Sequence, residues 1–137
     1  MNIFIDTNVI LDVFHLRHPF YDASSELLGK CEKGELTGFM NLISLANIHY
    51  ISSKIVGKEQ SISNLKVLLG FMKITSSNSD LAKQALYSDF NDLEDALQHY
   101  SAAGVDKIAG IITRDLNDFK VSDIPVYTPS EFLKLNP

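Results

Sequence analysis

Three groups of acidic side chains carry the chemistry that this sequence offers. They are Asp6, then Asp92, Glu94 and Asp95, then Asp115 and Asp118. Asp6 directly follows the apolar run Asn2-Ile3-Phe4-Ile5, and Asp115 and Asp118 follow a second apolar run that ends at Thr113. In parallel α/β sheets, chemistry collects just beyond the carboxyl ends of strands, where loops and helix starts converge. Asp92-Leu93-Glu94-Asp95 opens the helix before the second run, so all three groups meet if that helix starts at the same edge. Two carboxylates about 4 Å apart repel by about 4 kcal/mol at an effective dielectric of about 20. Several together therefore call for a compensating cation. Oxygen-only donors without a Cys/His cluster favour Mg²⁺ or Mn²⁺ over zinc. Such a cation polarises a phosphodiester, activates water and stabilises the leaving oxygen, which points to metal-assisted phosphodiester hydrolysis.

Each acid also has an ordinary structural use. Asp6 can cap the next turn, Asp95 suits the positive end of a helix dipole, and Asp115 and Asp118 suit a polar loop. Only their joint placement carries the catalytic reading.

The elements that must position these acids alternate between strand and helix. Asn2–Ile5 reads as a buried parallel strand ending in the turn-forming Asp6-Thr7-Asn8. Pro19 is placed for the first position of a helix that carries Ala23, Leu27, Leu28 and Cys31 inward and ends at Gly34. Leu36–Met40 reads as a second strand. Ser44 opens a helix with Leu45, Ile48, Ile51 and Ile55, stopped by Gly57. The next helix is expected from Lys58 to Met72, with Ile62, Leu65, Leu68 and Leu69 inward. Lys73–Thr75 is a weak strand, and a short helix surrounds Leu81–Ser88. Asp92 caps a helix through Ala103, closed by Gly104. Lys107–Thr113 is a strong strand in which Gly110 implies a close neighbour. A polar loop from Arg114 to Asp123 leads to the strand Pro125–Tyr127. Thr128, Pro129 and Glu131 then make a capping box. With no repeat or linker in view, the expectation is one α/β domain over residues 1–137 with a mainly parallel sheet.

Composition narrows the class. Of the 137 residues, 45% are hydrophobic and 21% charged, which suits a packed core rather than a disordered chain. The apolar runs are too short to span a bilayer, and no secretion signal precedes the first strand. The lone Cys31 excludes an intramolecular disulfide and, on the apolar face of its helix, reads as a buried thiol; together these favour a reducing, cytoplasmic setting. None of the four histidines forms a ligand pair, and Arg17, His18, Lys107, Arg114 and Lys120 are the cations available to a phosphate path. The formal net charge of −5 counts against a nucleic-acid partner when taken alone. Cancellation of several acids by one bound cation removes that objection.

Phe4-Ile5-Asp6-Thr7-Asn8-Val9-Ile10-Leu11-Asp12 resembles the opening signature of the PIN-domain nucleases, in their VapC-like branch. Ile43–Tyr50, Asp92–Gln98, Ile112–Phe119 and Pro125–Phe132 continue the similarity in family order. The resemblance implies a three-layer α/β/α sandwich whose acidic pocket binds Mg²⁺ or Mn²⁺ and cleaves RNA. Bacterial members are commonly toxins, often dimeric and inhibited by a small antitoxin protein. Carried over by position, Asp6 and Asp95 would be metal ligands, and Asp115 and Asp118 are alternatives for the last one. Asn8 and Thr113 would orient carboxylates or water by hydrogen bonding. Many members have glutamate where this chain has Asn47. An amide oxygen can ligate Mg²⁺ but brings no charge, and Ser-x-x-Asn-Ile-x-Tyr resembles a subgroup with asparagine here. Asn47 also suits a plain polar position near the start of a helix.

Two other readings compete. An inactive PIN-like module that binds RNA or protein is motivated by Asn47. A response-regulator-like domain also uses strand-end acids, but it would want paired acids after the first strand, where this chain has Asp6-Thr7-Asn8.

Overall fold

The computed structural model describes residues 1–137. Its five strands are β1 (Asn2–Ile5), β2 (Thr37–Met40), β3 (Met72–Ile74), β4 (Ile108–Ile112) and β5 (Val126–Tyr127). All pair in parallel, in the order β3-β2-β1-β4-β5. The order reverses direction between β1 and β4, which makes their carboxyl ends the switch point of the sheet. Seven helices cover the two faces: α1 (Thr7–Phe14), α2 (Tyr21–Glu32), α3 (Leu42–Val56), α4 (Lys58–Leu68), α5 (Ser79–Leu86), α6 (Leu93–Ala103) and α7 (Pro129–Leu135). The result is the expected α/β/α sandwich.

Alternation along the strands divides the core. Ile3, Ile5 and Ile112 face a cluster of 16 buried residues, shared with α1, α2, α3, α4 and α7. Phe4 and Ile111 face the other way, into a cluster of only four with Ala102 and Phe119. The second layer is therefore much thinner. Within it α5 packs mainly on α6, and Ala85 is its one buried residue.

Several elements differ from the sequence reading. Thr7–Phe14 is a helix, where the sequence reading took Asp6-Thr7-Asn8 as turn-forming; it is only eight residues long and buries Val9, Ile10 and Leu11 in succession. Helix α2 begins at Tyr21, after Pro19, and Asn41 rather than Ser44 caps α3 by accepting the Ser44 amide at 2.8 Å. Helix α4 stops at Leu68, with Gly70 between it and β3, so Met72 belongs to the sheet. Ile55, Ile62 and Leu69 are exposed rather than inward, while Leu65 and Leu68 are buried.

Other local signals are met. Asp92 caps α6, and Thr128 and Glu131 form the capping box of α7. At Gly110 an added Cβ would lie 2.8 Å from the Tyr127 ring and 3.0 Å from the Pro125 carbonyl, so β5 does pack closely there. Cys31 is buried. No helix is long and apolar enough to cross a membrane.

Candidate active site

Asp6 occupies the first residue after β1 and is 7% exposed. Its side chain makes no cap bond to α1. Instead Asp6 Oδ2 accepts the Thr113 hydroxyl at 2.8 Å, across the switch point from the residue that follows β4. Thr113 is fully buried and its Oγ1 also accepts the Asp115 amide at 3.1 Å. Asn8, on the first turn of α1, reaches the same loop. Its Nδ2 donates to Asp115 Oδ2 at 3.1 Å, and its Oδ1 accepts the Arg114 amide at 3.4 Å. The ends of β1 and β4 are thus tied together by the two residues expected to orient carboxylates.

Helix α6 brings the third acidic group to this edge. Asp92 Oδ2 accepts the Asp95 amide at 3.3 Å, which fixes the helix start and places Asp95 in its first turn. Burial raises the Asp95 carboxyl from 3.8 to about 7, and the charges of Asp92, Asp118, Asp6 and Glu94 push the same way. Burial also raises Asp6, against the hydrogen bond from Thr113. Asp6, Asp95 and Asp118 therefore share one field. Asp115 is exposed; it faces Asn8, and its charge is felt at Asp12. Asp118 lies within a 3₁₀ turn over Leu116–Phe119 that is anchored by buried Phe119.

No three Asp, Glu, His or Cys side chains are grouped tightly enough to hold a metal ion as they stand. The donor set nevertheless suits a hard divalent cation. Its donors are all oxygen, and its buried and half-buried carboxylates resist ionising side by side until a positive charge is supplied.

Asn47 is half-buried on α3, one turn beyond Ser44. Beside it the structure shows a polar seam that sequence reasoning missed. Gln98 of α6 is 1% exposed, and its Nε2 donates to Thr7 Oγ1 at 3.4 Å and Ser44 Oγ at 3.5 Å. Gln98 thereby ties α6, α1 and α3 together next to Asp6. Its only sequence signal is a position three residues after Asp95, on the same helical face. The second missed feature is Asp12, fully buried at the end of the acidic loop's partner helix α1. Asp12 Oδ2 lies 3.3 Å from Arg114 Nε, and Oδ1 lies 3.8 Å from Arg17 Nη1. The histidines stay outside the centre: His49 meets Ser61 Oγ at 2.9 Å, and His99 meets Ser122 and Asp123.

The fold and this edge define a class: a three-layer α/β protein with a carboxylate centre at the switch point of a parallel sheet. The chain belongs to the PIN domain family, whose model matches residues 2–117. It is similar to Ribonuclease VapC1 of Aquifex aeolicus (strain VF5), at 29% identity over 95% of this chain and 92% of that protein. Among solved structures it resembles VapBC2 from Rickettsia felis bound to a DNA fragment from their promoter. That likeness has a TM-score of 0.66 and 20% identity over 93% of this chain and 98% of the other. It also resembles VapBC-1 from nontypeable Haemophilus influenzae, with a TM-score of 0.68 and 15% identity over 95% and 99% of the two chains.

Proposed function

We propose that this protein is an endoribonuclease dependent on Mg²⁺ or Mn²⁺, and the toxin of a toxin–antitoxin pair. The observation that carries the reading is the placement, at the switch point of a PIN-family sheet, of Asp6 hydrogen-bonded to Thr113 and of Asp92, Asp95 and Asp118 lining one concavity beside it. Asp6, Asp95 and Asp118 would hold the cation, with Asp115 as the alternative to Asp118. The bound ion supplies charge neutralisation and a Lewis acid for the phosphodiester. Thr113 fixes the Asp6 carboxylate, and Asn8 fixes that of Asp115, so that neither has to reorganise when RNA arrives. Gln98 locks α6 against α1 and so holds Asp95 opposite Asp6.

The antitoxin reading rests on the VapBC likeness and on an exposed surface. Leu42, Leu45, Ile62 and Leu69 line an apolar groove of about 370 Å³ between α3 and α4. A small partner protein, or a second copy of the chain, would cover it.

Purified protein should cleave RNA in Mg²⁺ or Mn²⁺ and stop on addition of a chelator. Asp6→Asn should keep the fold and lose cleavage; equal cleavage by that variant would overturn the assignment. Asn47 favours a second reading, a PIN-like module that binds RNA or protein without cutting. Metal-dependent cleavage that Asp6→Asn removes would eliminate it.

A further inference from the structure

A second concavity opens on the same sheet edge as the acidic centre, on the side of β5. Its volume is about 250 Å³. Arg114, between Thr113 and Asp115, forms part of its wall, and Thr128, the residue after β5, forms another. Adjacent strands lie about 4.8 Å apart, so the cavity sits one strand over from the end of β4.

The walls are largely carbon, from Pro19, Phe20, Ala23 and Pro129. The Arg114 guanidinium lies 4.3 Å from the centroid of the Phe20 ring. Asp12 also holds that guanidinium, through the 3.3 Å ion pair with Nε. An aromatic ring beside a fixed guanidinium plane is the kind of platform on which unpaired bases stack. Ser24, which lines the cavity, is 1% exposed and its hydroxyl has no hydrogen-bond partner. Buried hydroxyls are almost always paired, so this one points to a polar group that enters from outside. The volume falls below the roughly 300–1,000 Å³ typical of drug-sized ligands and suits one planar ring system. A phosphate fits less well, because carbon surrounds most of the space and the Asp12 carboxylate is among the lining groups.

We propose that this cavity takes an unpaired nucleobase of the RNA, next to the phosphodiester at the acidic centre, stacked on the outer face of the Phe20–Arg114 pair and read by Ser24. This rests on the ribonuclease reading and adds a source of base preference to it. Asp12 acts here as a positioning residue, since it touches Arg114 and not the base.

The test is amide NMR of the intact protein in EDTA, titrated separately with tetranucleotides of A, C, G and U and with an abasic tetraribose phosphate. At least one base should shift the Ala23, Ser24, Arg114 and Ser130 amides, and the abasic chain should not. Phe20→Ala, at an exposed position, should weaken that binding about tenfold, as loss of one base–aromatic stack does. Ser130→Tyr, at another exposed position, should block it by filling the cavity. If no base moves these amides, or if the abasic chain moves them equally, the cavity is not a base site, whether or not the protein cleaves RNA. Retention of full affinity by both variants would also overturn the proposal. Base binding by a protein that cleaves nothing would keep the cavity assignment and overturn the nuclease reading.

Discussion

The Thr113 hydroxyl and the Asp6 carboxylate, the first residues after β4 and β1, are joined by a 2.8 Å hydrogen bond with both side chains buried. The bond spans the switch point, so the acidic edge is closed by a side-chain pair where the backbone ladder ends. Its geometry sets the first prediction. Thr113→Val keeps the shape but strands an Asp6 oxygen and the Asp115 amide. Loss of such an orienting group typically costs about 10–100-fold in metal affinity or activity. Calorimetric Mn²⁺ titration and RNA cleavage should both register it, whereas Thr113→Ser should retain most of each.

Asp95 gives a pH dependence with a definite sign. Its folded-state pKa is raised from 3.8 to about 7. The folded protein therefore binds this proton more tightly than the unfolded chain does, and Asp95 loses stability as pH rises from about 4 through 7. Without metal, Asp95→Asn should flatten that part of the Tm–pH curve. Mg²⁺ should raise Tm more at pH 7.5 than at pH 5, because it replaces the proton. Asp92→Asn keeps a capping side chain and removes the neighbouring charge that raises Asp95 most, so it should lower the Asp95 pKa read by carboxyl-carbon NMR.

His99 tilts the curve the other way. Burial lowers it from 6.5, against the pull of Asp123. The unfolded chain then takes up this proton first as pH falls, so stability is complete above about 6.5 and declines below it. His99→Gln should lose less urea resistance than the parent between pH 7 and 5.5.

Asp12 is fully buried between Arg17 and Arg114, and neither of its oxygens makes a hydrogen bond. Asp12→Ala leaves two part-exposed cations without the carboxylate they share and should destabilise the protein by about 1 kcal/mol. The double variant with Arg114→Met should recover part of that loss in denaturant melts, the mark of a coupled pair.

What the sequence disclosed, and what it withheld, follows the range of the interactions. Caps are local, so Asp92, Thr128 and Glu131 could be read from three-residue spacings, and Gly110 announced its close neighbour. The start of α1 and the end of α4 could not be read in this way. The eight residues of α1 make barely two turns, too few for its period to stand out, and Met72 satisfies the helix period as well as the strand. The acids after β1 and β4 were legible because strand ends in a parallel sheet share an edge. Gln98 was not, since nothing local says that α6 turns it toward Thr7 and Ser44. The Asp12–Arg114 pair likewise depends on β1 and β4 lying side by side.

The unequal layers bear on how the active edge opens. Asp6 and Thr113 stand on strands braced by the sixteen-residue cluster, while Asp95 and Gln98 ride on α6, in the layer with only four. Segments with few buried contacts open at lower free energy than the rest of a protein. Hydrogen exchange should therefore be fastest in α5 and the start of α6, with β1 and β4 the last to exchange. The acidic edge is thus a seam between a slow-exchanging and a fast-exchanging part of the same molecule. An ion that bridges Asp6 and Asp95 would fasten that seam, and slowed exchange in α6 would report its arrival.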